Sequence, residues 1–103
     1  MKYNITYNKT NPTKEYKINV LEESFFNTVY EEIGEGINII RMSDGMLEVF
    51  YQSYYVGKIK LQGRKHKMQI LKGLYDIKWI EGNINDFLPH IKDWKKYIEW
   101  VIK

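Results

Sequence analysis

The sequence predicts an α+β domain: an N-terminal β-hairpin, a short helix, an antiparallel meander of four to five strands and a long C-terminal helix packed on one sheet face. Three observations carry this reading. Apolar and polar residues alternate in short runs punctuated by glycine, two further stretches repeat apolar residues at helical spacing, and Asp44-Gly45 sits between two alternating runs. That dipeptide supplies the positive φ angles of a tight hairpin turn.

Taken in order, Tyr3, Ile5 and Tyr7 alternate with polar residues, as do Tyr16, Ile18 and Val20, with the turn-rich stretch 8–13 between them. This pattern predicts the first hairpin. Ser24 is the expected N-cap of a helix whose apolar positions are Phe25, Phe26, Val29, Tyr30 and Ile33, stopped by Gly34 and Gly36. Ile37 to Met42 and Met46 to Tyr51 flank the Asp44-Gly45 turn. The meander continues through Tyr55, Ile59 and Leu61, then Met68 and Ile70, then Tyr75, Ile77 and Trp79, with Gly57, Gly63, Gly73 and Gly82 as punctuation. The last helix is expected to begin near Asp86 or Pro89, since first-turn amides need no internal partner. Phe87, Ile91, Trp94, Ile98, Val101 and Ile102 then fall within about 60° of one line, the stripe of a helix packed on a sheet.

A length of 103 residues fits a single domain spanning 1–103 with one core. The absence of cysteine excludes a disulfide scaffold and thiolate chemistry and fits a reducing cytoplasm. No run approaches the roughly 20 apolar residues of a membrane-spanning helix, and Met1 to Tyr7 do not form a signal-peptide core, so a soluble, unprocessed protein is expected.

Charge is distributed unevenly. Between Glu48 and Asp76 lie 27 residues with no acidic side chain and six basic ones: Lys58, Lys60, Arg64, Lys65, Lys67 and Lys72. Residues 1–48 carry five basic and eight acidic side chains and residues 76–103 carry five of each, so the net +3 arises in the middle. Such a segment asks for an anionic partner. Strand alternation sends Lys58 and Lys60 opposite Ile59 and Leu61, and Lys65 and Lys67 opposite His66 and Met68, so all four lysines should emerge on the sheet face that the helices leave uncovered. Tyr54 joins Lys58 by parity, and Lys78 lies across the next turn. The expected site is therefore Lys58, Lys60, Arg64, Lys65 and Lys67 for phosphates, with Tyr54 for stacking, as on platforms that bind nucleic-acid strands. The plainer reading is a solvated face whose lysines discourage edge aggregation. Arg41 and Arg64 are the only arginines. Base readout relies on arginine forks, so backbone-directed binding without sequence specificity is expected.

A second surface competes. Trp100 falls about 220° around the last helix from Phe87, on the side carrying Asp93 and Lys96. With Tyr97 it is a candidate protein contact, including a homodimer through the C-terminal helix, or else it packs on the N-terminal hairpin. The alternative function is thus a protein-binding inhibitor or accessory module of phage or mobile-element type that occupies an acidic or nucleic-acid-facing site on its target.

Enzyme chemistry has little to stand on. His66 is flanked by Arg64, Lys65 and Lys67 with no carboxylate nearby in sequence to orient it. Asp86, His90 and Asp93 share one helix edge at i, i+4, i+7 spacing and could hold a divalent ion, but no further ligand can be assigned. Gly34-Glu35-Gly36 ends a helix where a phosphate loop would begin one. A non-catalytic protein without cofactor or metal is expected.

Overall fold

Asparagine and glutamate at i and i+3 can cap a helix reciprocally, and here Asn19 and Glu22 do so. In the computed structural model, which describes residues 4–7, 17–42, 44–73 and 76–102, Asn19 is the N-cap of helix α1 (Val20–Ile33). Its side chain accepts from the Glu22 amide at 2.8 Å, and its own amide donates to Glu22 Oε1 at 3.1 Å. The cap therefore lies five residues before Ser24, where the apolar spacing suggests it. The helix ends where the sequence indicates, with the Gly34 amide donating to Tyr30 O at 2.8 Å.

This early start takes Ile18 and Val20 out of the second strand of the anticipated N-terminal hairpin. Lys17 to Asn19 are irregular and Val20 is helical. The turn at 8–13 and Tyr16 lie outside the described residues. Strand β1 (Asn4–Tyr7) instead runs parallel to β2 (Ile37–Arg41), with Asn4 opposite Asn38 and Tyr7 opposite Arg41. A parallel pair needs a crossover, and α1 lies in the connection.

The meander is present as the sequence predicts. After β2 come β3 (Leu47–Tyr51), β4 (Tyr54–Lys60), β5 (His66–Leu71) and β6 (Ile77–Gly82), each antiparallel to its predecessor, so the spatial order follows the chain order. Gly45 takes φ +90° in the β2–β3 connection, the conformation for which Asp44-Gly45 was suited. The C-terminal segment begins at α2 (Ile84–Phe87), where Asn83 and Asp86 repeat the reciprocal cap. A 3₁₀ turn at Leu88–His90 accommodates Pro89, α3 (Ile91–Tyr97) follows, and the chain finishes in a π-helical turn, Ile98–Ile102. No helix among the described residues is long and apolar enough to cross a membrane.

Alternation decides which side chains the helices cover. Ile37, Ile39, Leu47, Val49, Val56, Ile59, Leu61, Met68 and Ile70 are buried beneath Phe25, Phe26 and Val29 of α1 and Phe87, Ile91, Trp94 and Ile98 of the C-terminal segment. The two helical layers meet where the Phe25 and Trp94 rings stand edge to face, 5.6 Å between centroids. The Trp94 indole N–H donates to the Gln69 carbonyl at 2.8 Å. Gly57 makes room for it, because a Cβ there would stand 2.6 Å from that carbonyl oxygen and 2.8 Å from the indole nitrogen.

One polar knot penetrates this core. Arg41 shares the inward parity of Ile37 and Ile39, and its guanidinium meets Glu22 through both nitrogens, Nη1 to Oε2 at 2.6 Å and Nη2 to Oε1 at 2.8 Å. Both side chains are almost wholly buried, at 3% and 0% exposure. Arg41 Nη1 also donates to Gly45 O at 2.9 Å, Gln62 Nε2 donates to Glu22 Oε1 at 2.9 Å, and Asn19 Nδ2 donates to Leu61 O at 2.9 Å.

Two outcomes follow for stability, each readable by urea denaturation. Gly57→Ala forces the indole or the β5 backbone to shift and should cost about 1–3 kcal/mol. Arg41→Met strands a buried carboxylate and should cost about 3–5 kcal/mol, whereas the Glu22→Gln, Arg41→Met double variant should be more stable than Arg41→Met alone. A double variant no better than the single would show that the buried charge is not what destabilises the protein.

Candidate nucleic-acid interface

The sheet face that the described helices leave uncovered is built from the residues that alternate with the core. Strand pairing arranges the described ones in three rows. The first crosses β4, β5 and β6 as Lys60–Lys67–Glu81; the second runs Ile40–Glu48–Lys58 across β2, β3 and β4 and Gln69–Trp79 across β5 and β6; the third holds Asn38–Phe50–Tyr55 and Leu71–Ile77. Charge thus gathers toward the β4–β5 turn and apolar surface toward the other end.

Three of the anticipated phosphate contacts, Lys58, Lys60 and Lys67, emerge on this face, all half-buried. Lys60 and Lys67 stand directly opposite each other, as the β4–β5 hairpin requires. Arg64 and Lys65 are exposed in the connecting loop, so Lys65 precedes the strand and is not held by its alternation. The lysines are also interleaved with acid. Glu48 stands opposite Lys58 and Glu81 opposite Lys67, because β3 and β6 bring in carboxylates from outside the acid-free window. Lys72 lies at the far end of β5 and does not join the group.

Tyr54 is not on this face. A bulge at Val56 puts Val49 opposite Gly57 but Phe50 opposite Tyr55, and the extra residue inverts the parity of everything before it. Tyr54 therefore pairs with Tyr51 on the helix-bearing side, and Tyr55 takes the outward position. Its ring meets Phe50 at 5.7 Å between centroids, and its hydroxyl donates to Gln69 Oε1. Burial, and secondarily the Glu48 carboxylate, push the Tyr55 phenol well above its ordinary value of 10.0. A similar inversion affects β6. Ile77 and Trp79, expected in the core alternation, face outward at 55% and 43% exposure, while Ile80 turns inward; Lys78 pairs with core Ile70 on the helix side. Tyr75 lies outside the described residues. Trp79 is an outward aromatic that the alternation had assigned to the core, and Lys67 Nζ lies 4.9 Å from its ring centroid.

At the opposite end of β5, Trp100 is 78% exposed, and with Tyr97 it lines a groove of about 460 Å³ beside Leu71 and Lys72. The candidate metal triplet does not assemble. Asp86 Oδ2 accepts from the Asn83 amide, and Asp93 Oδ2 accepts from His90 Nδ1 at 2.8 Å. Among the described residues no three His, Asp or Glu side chains converge on a point that could hold an ion. His66 keeps its predicted inward parity at the sheet end, with Nε2 3.1 Å from Gly63 O.

No protein-family model, curated protein or solved structure matches the chain.

The Tyr55 shift has a signed consequence. Because the folded state holds the phenol protonated, its contribution is fully present below about pH 10 and is lost as pH rises further. Tyr55→Phe removes the hydrogen bond to Gln69 and should cost about 1 kcal/mol at neutral pH. The gap between wild type and variant, measured by denaturation at several pH values, should narrow above pH 10. A gap that widens there would contradict this assignment.

Proposed function

We propose that this chain is a small non-catalytic binding protein that engages nucleic-acid backbone, without sequence specificity, through the β4–β5 end of its open sheet face. One observation supports this most: Lys60 and Lys67 are directly opposed, and the loop joining their strands exposes Arg64 and Lys65. Like charges facing each other across a ladder are mutually destabilising, and a row of phosphates relieves that repulsion. Lys58 and Lys67 also stand opposite Glu48 and Glu81, so their part is smaller than that of Lys60, Arg64 and Lys65. Trp79, beside Lys67, supplies the stacking surface in place of Tyr54. Arg41 is consumed by Glu22, leaving Arg64 as the one arginine available for a base fork, which favours backbone contacts. Lack of cysteine suits work in a reducing cytoplasm.

A protein-binding inhibitor or accessory module of phage or mobile-element type is the second reading. It is favoured by Glu48 and Glu81 standing among the lysines, since mixed charge around exposed Trp79 and Ile77 suits a protein surface better than a uniform polyanion. A homodimer through the C-terminal helix belongs to this reading.

Fluorescence anisotropy with a labelled single-stranded and a duplex oligonucleotide separates the two. Binding should weaken on the order of tens-fold between about 50 and 200 mM salt, as expected for three to four neutralised phosphates. The Lys60→Glu, Arg64→Glu, Lys65→Glu variant should fold by circular dichroism and lose binding. Absence of saturable binding at the lower salt concentration would remove the nucleic-acid reading and leave the protein-binding one.

A further inference from the structure

The end of the C-terminal helix presents a different chemistry from the β4–β5 turn. In a regular α-helix Val101 would continue the stripe of Phe87, Ile91, Trp94 and Ile98. The structure closes this segment with a π-helical turn, Ile98–Ile102, a widened form that is rare and frequently marks functional sites. Ile98 remains buried, but Val101 is 40% exposed and Trp100 is 78% exposed. Both line the groove of about 460 Å³, whose far wall is Leu71 and Lys72 at the end of β5.

That volume is within the range of ligand-sized clefts. Its lining pairs an apolar floor with two ammonium groups. Lys72 is exposed on one side, and Lys96 lies on the other with Nζ 5.7 Å from the Trp100 ring centroid. Asp93, the one carboxylate among the described lining residues, accepts from His90 Nδ1 at 2.8 Å, and against it stand the two lysines, so the lining is positive on balance. An occupant complementary to this lining carries an apolar or aromatic side chain with acidic residues on both sides of it.

We propose that this groove is a docking site for a short acidic peptide segment of another protein, with one apolar side chain seated between Leu71, Trp100 and Val101 and its carboxylates meeting Lys72 and Lys96. This inference is independent of backbone binding at Lys60 and Lys67, because the two sites lie at opposite ends of β5. The π-helical turn explains the geometry: it moves Val101 off the buried stripe and gives the groove its second apolar wall.

The test is a titration of the ¹⁵N-labelled protein with the peptide Glu-Glu-Phe-Leu-Glu-Glu, followed by amide chemical shifts, with Lys-Lys-Phe-Leu-Lys-Lys as control. The acidic peptide should shift amides of Leu71, Lys72 and the 96–102 segment saturably, and the basic control should not. Trp100→Ala, at an exposed position, should leave the fold intact and weaken binding at least tenfold, as should Lys72→Glu with Lys96→Glu. The Lys60→Glu, Lys67→Glu variant should bind the peptide unchanged. Shifts confined to the β4–β5 turn, or loss of binding in that last variant, would assign the peptide to the other site and overturn the proposal. Equal binding of both peptides, no saturable shift, or self-association that buries Trp100 and excludes the peptide would overturn it as well.

Discussion

Burying a carboxylate and a guanidinium together is tolerable only when their hydrogen-bonding capacity is met, and Glu22 and Arg41 set this condition for much of the fold. Glu22 serves two structures at once, as the third residue of the α1 cap and as the acceptor for Arg41 and Gln62. Arg41 ties that cap to the β2–β3 connection through Gly45 O. Asn19 reaches the β4–β5 connection through Leu61 O. The start of one helix and two sheet connections are thereby fixed relative to each other, and the aromatic layer of Phe25 and Trp94 can close over Gly57 only with α1 so placed.

That constraint also shapes what the surface can offer. With Arg41 withdrawn, positive charge outside is carried almost wholly by lysine, which binds as a compact point charge and not as a planar fork. The open face accordingly resembles neither a uniform cationic track nor an apolar interface. It is graded, with Lys60 and Lys67 at one end, Phe50, Tyr55 and Ile77 at the other, and Glu48 and Glu81 between or beside the lysines.

Much of the architecture was legible in the residues. The meander, its Asp44-Gly45 turn, the opposed lysines and the buried stripe of the last helix from Phe87 to Ile98 follow from periodicity, because tertiary burial there agrees with local pattern; Val101, expected in that stripe, is exposed instead. Where reading failed, two local signals overlapped. Tyr16, Ile18 and Val20 alternate like a strand, but Asn19 and Glu22 carry a cap that outweighs the alternation once Glu22 finds Arg41. Parity inverted at Val56 because a bulge adds a residue there; its one mark in the sequence is the adjacent Gly57, which reads equally well as punctuation between strands. Ile77 and Trp79 look like core because they are apolar, yet β6 is an edge strand and only its Ile80 side meets the helices. A charged residue in register with Ile37 and Ile39 was the available clue to the buried pair, since an arginine at an inward position demands a partner.

The pairing of β1 has a kinetic meaning. Strands β2 to β6 each bond a neighbour in sequence, so zippering from local turns can assemble them quickly, whereas Asn4 must find Asn38 across an intervening helix. Until it does, β2 is the sheet margin and its Ile39 backbone is open to other chains. Contact order therefore predicts that β1, though synthesised before its partner β2, docks after the meander has formed, which would make the crossover and not the meander set the interval most exposed to misassembly.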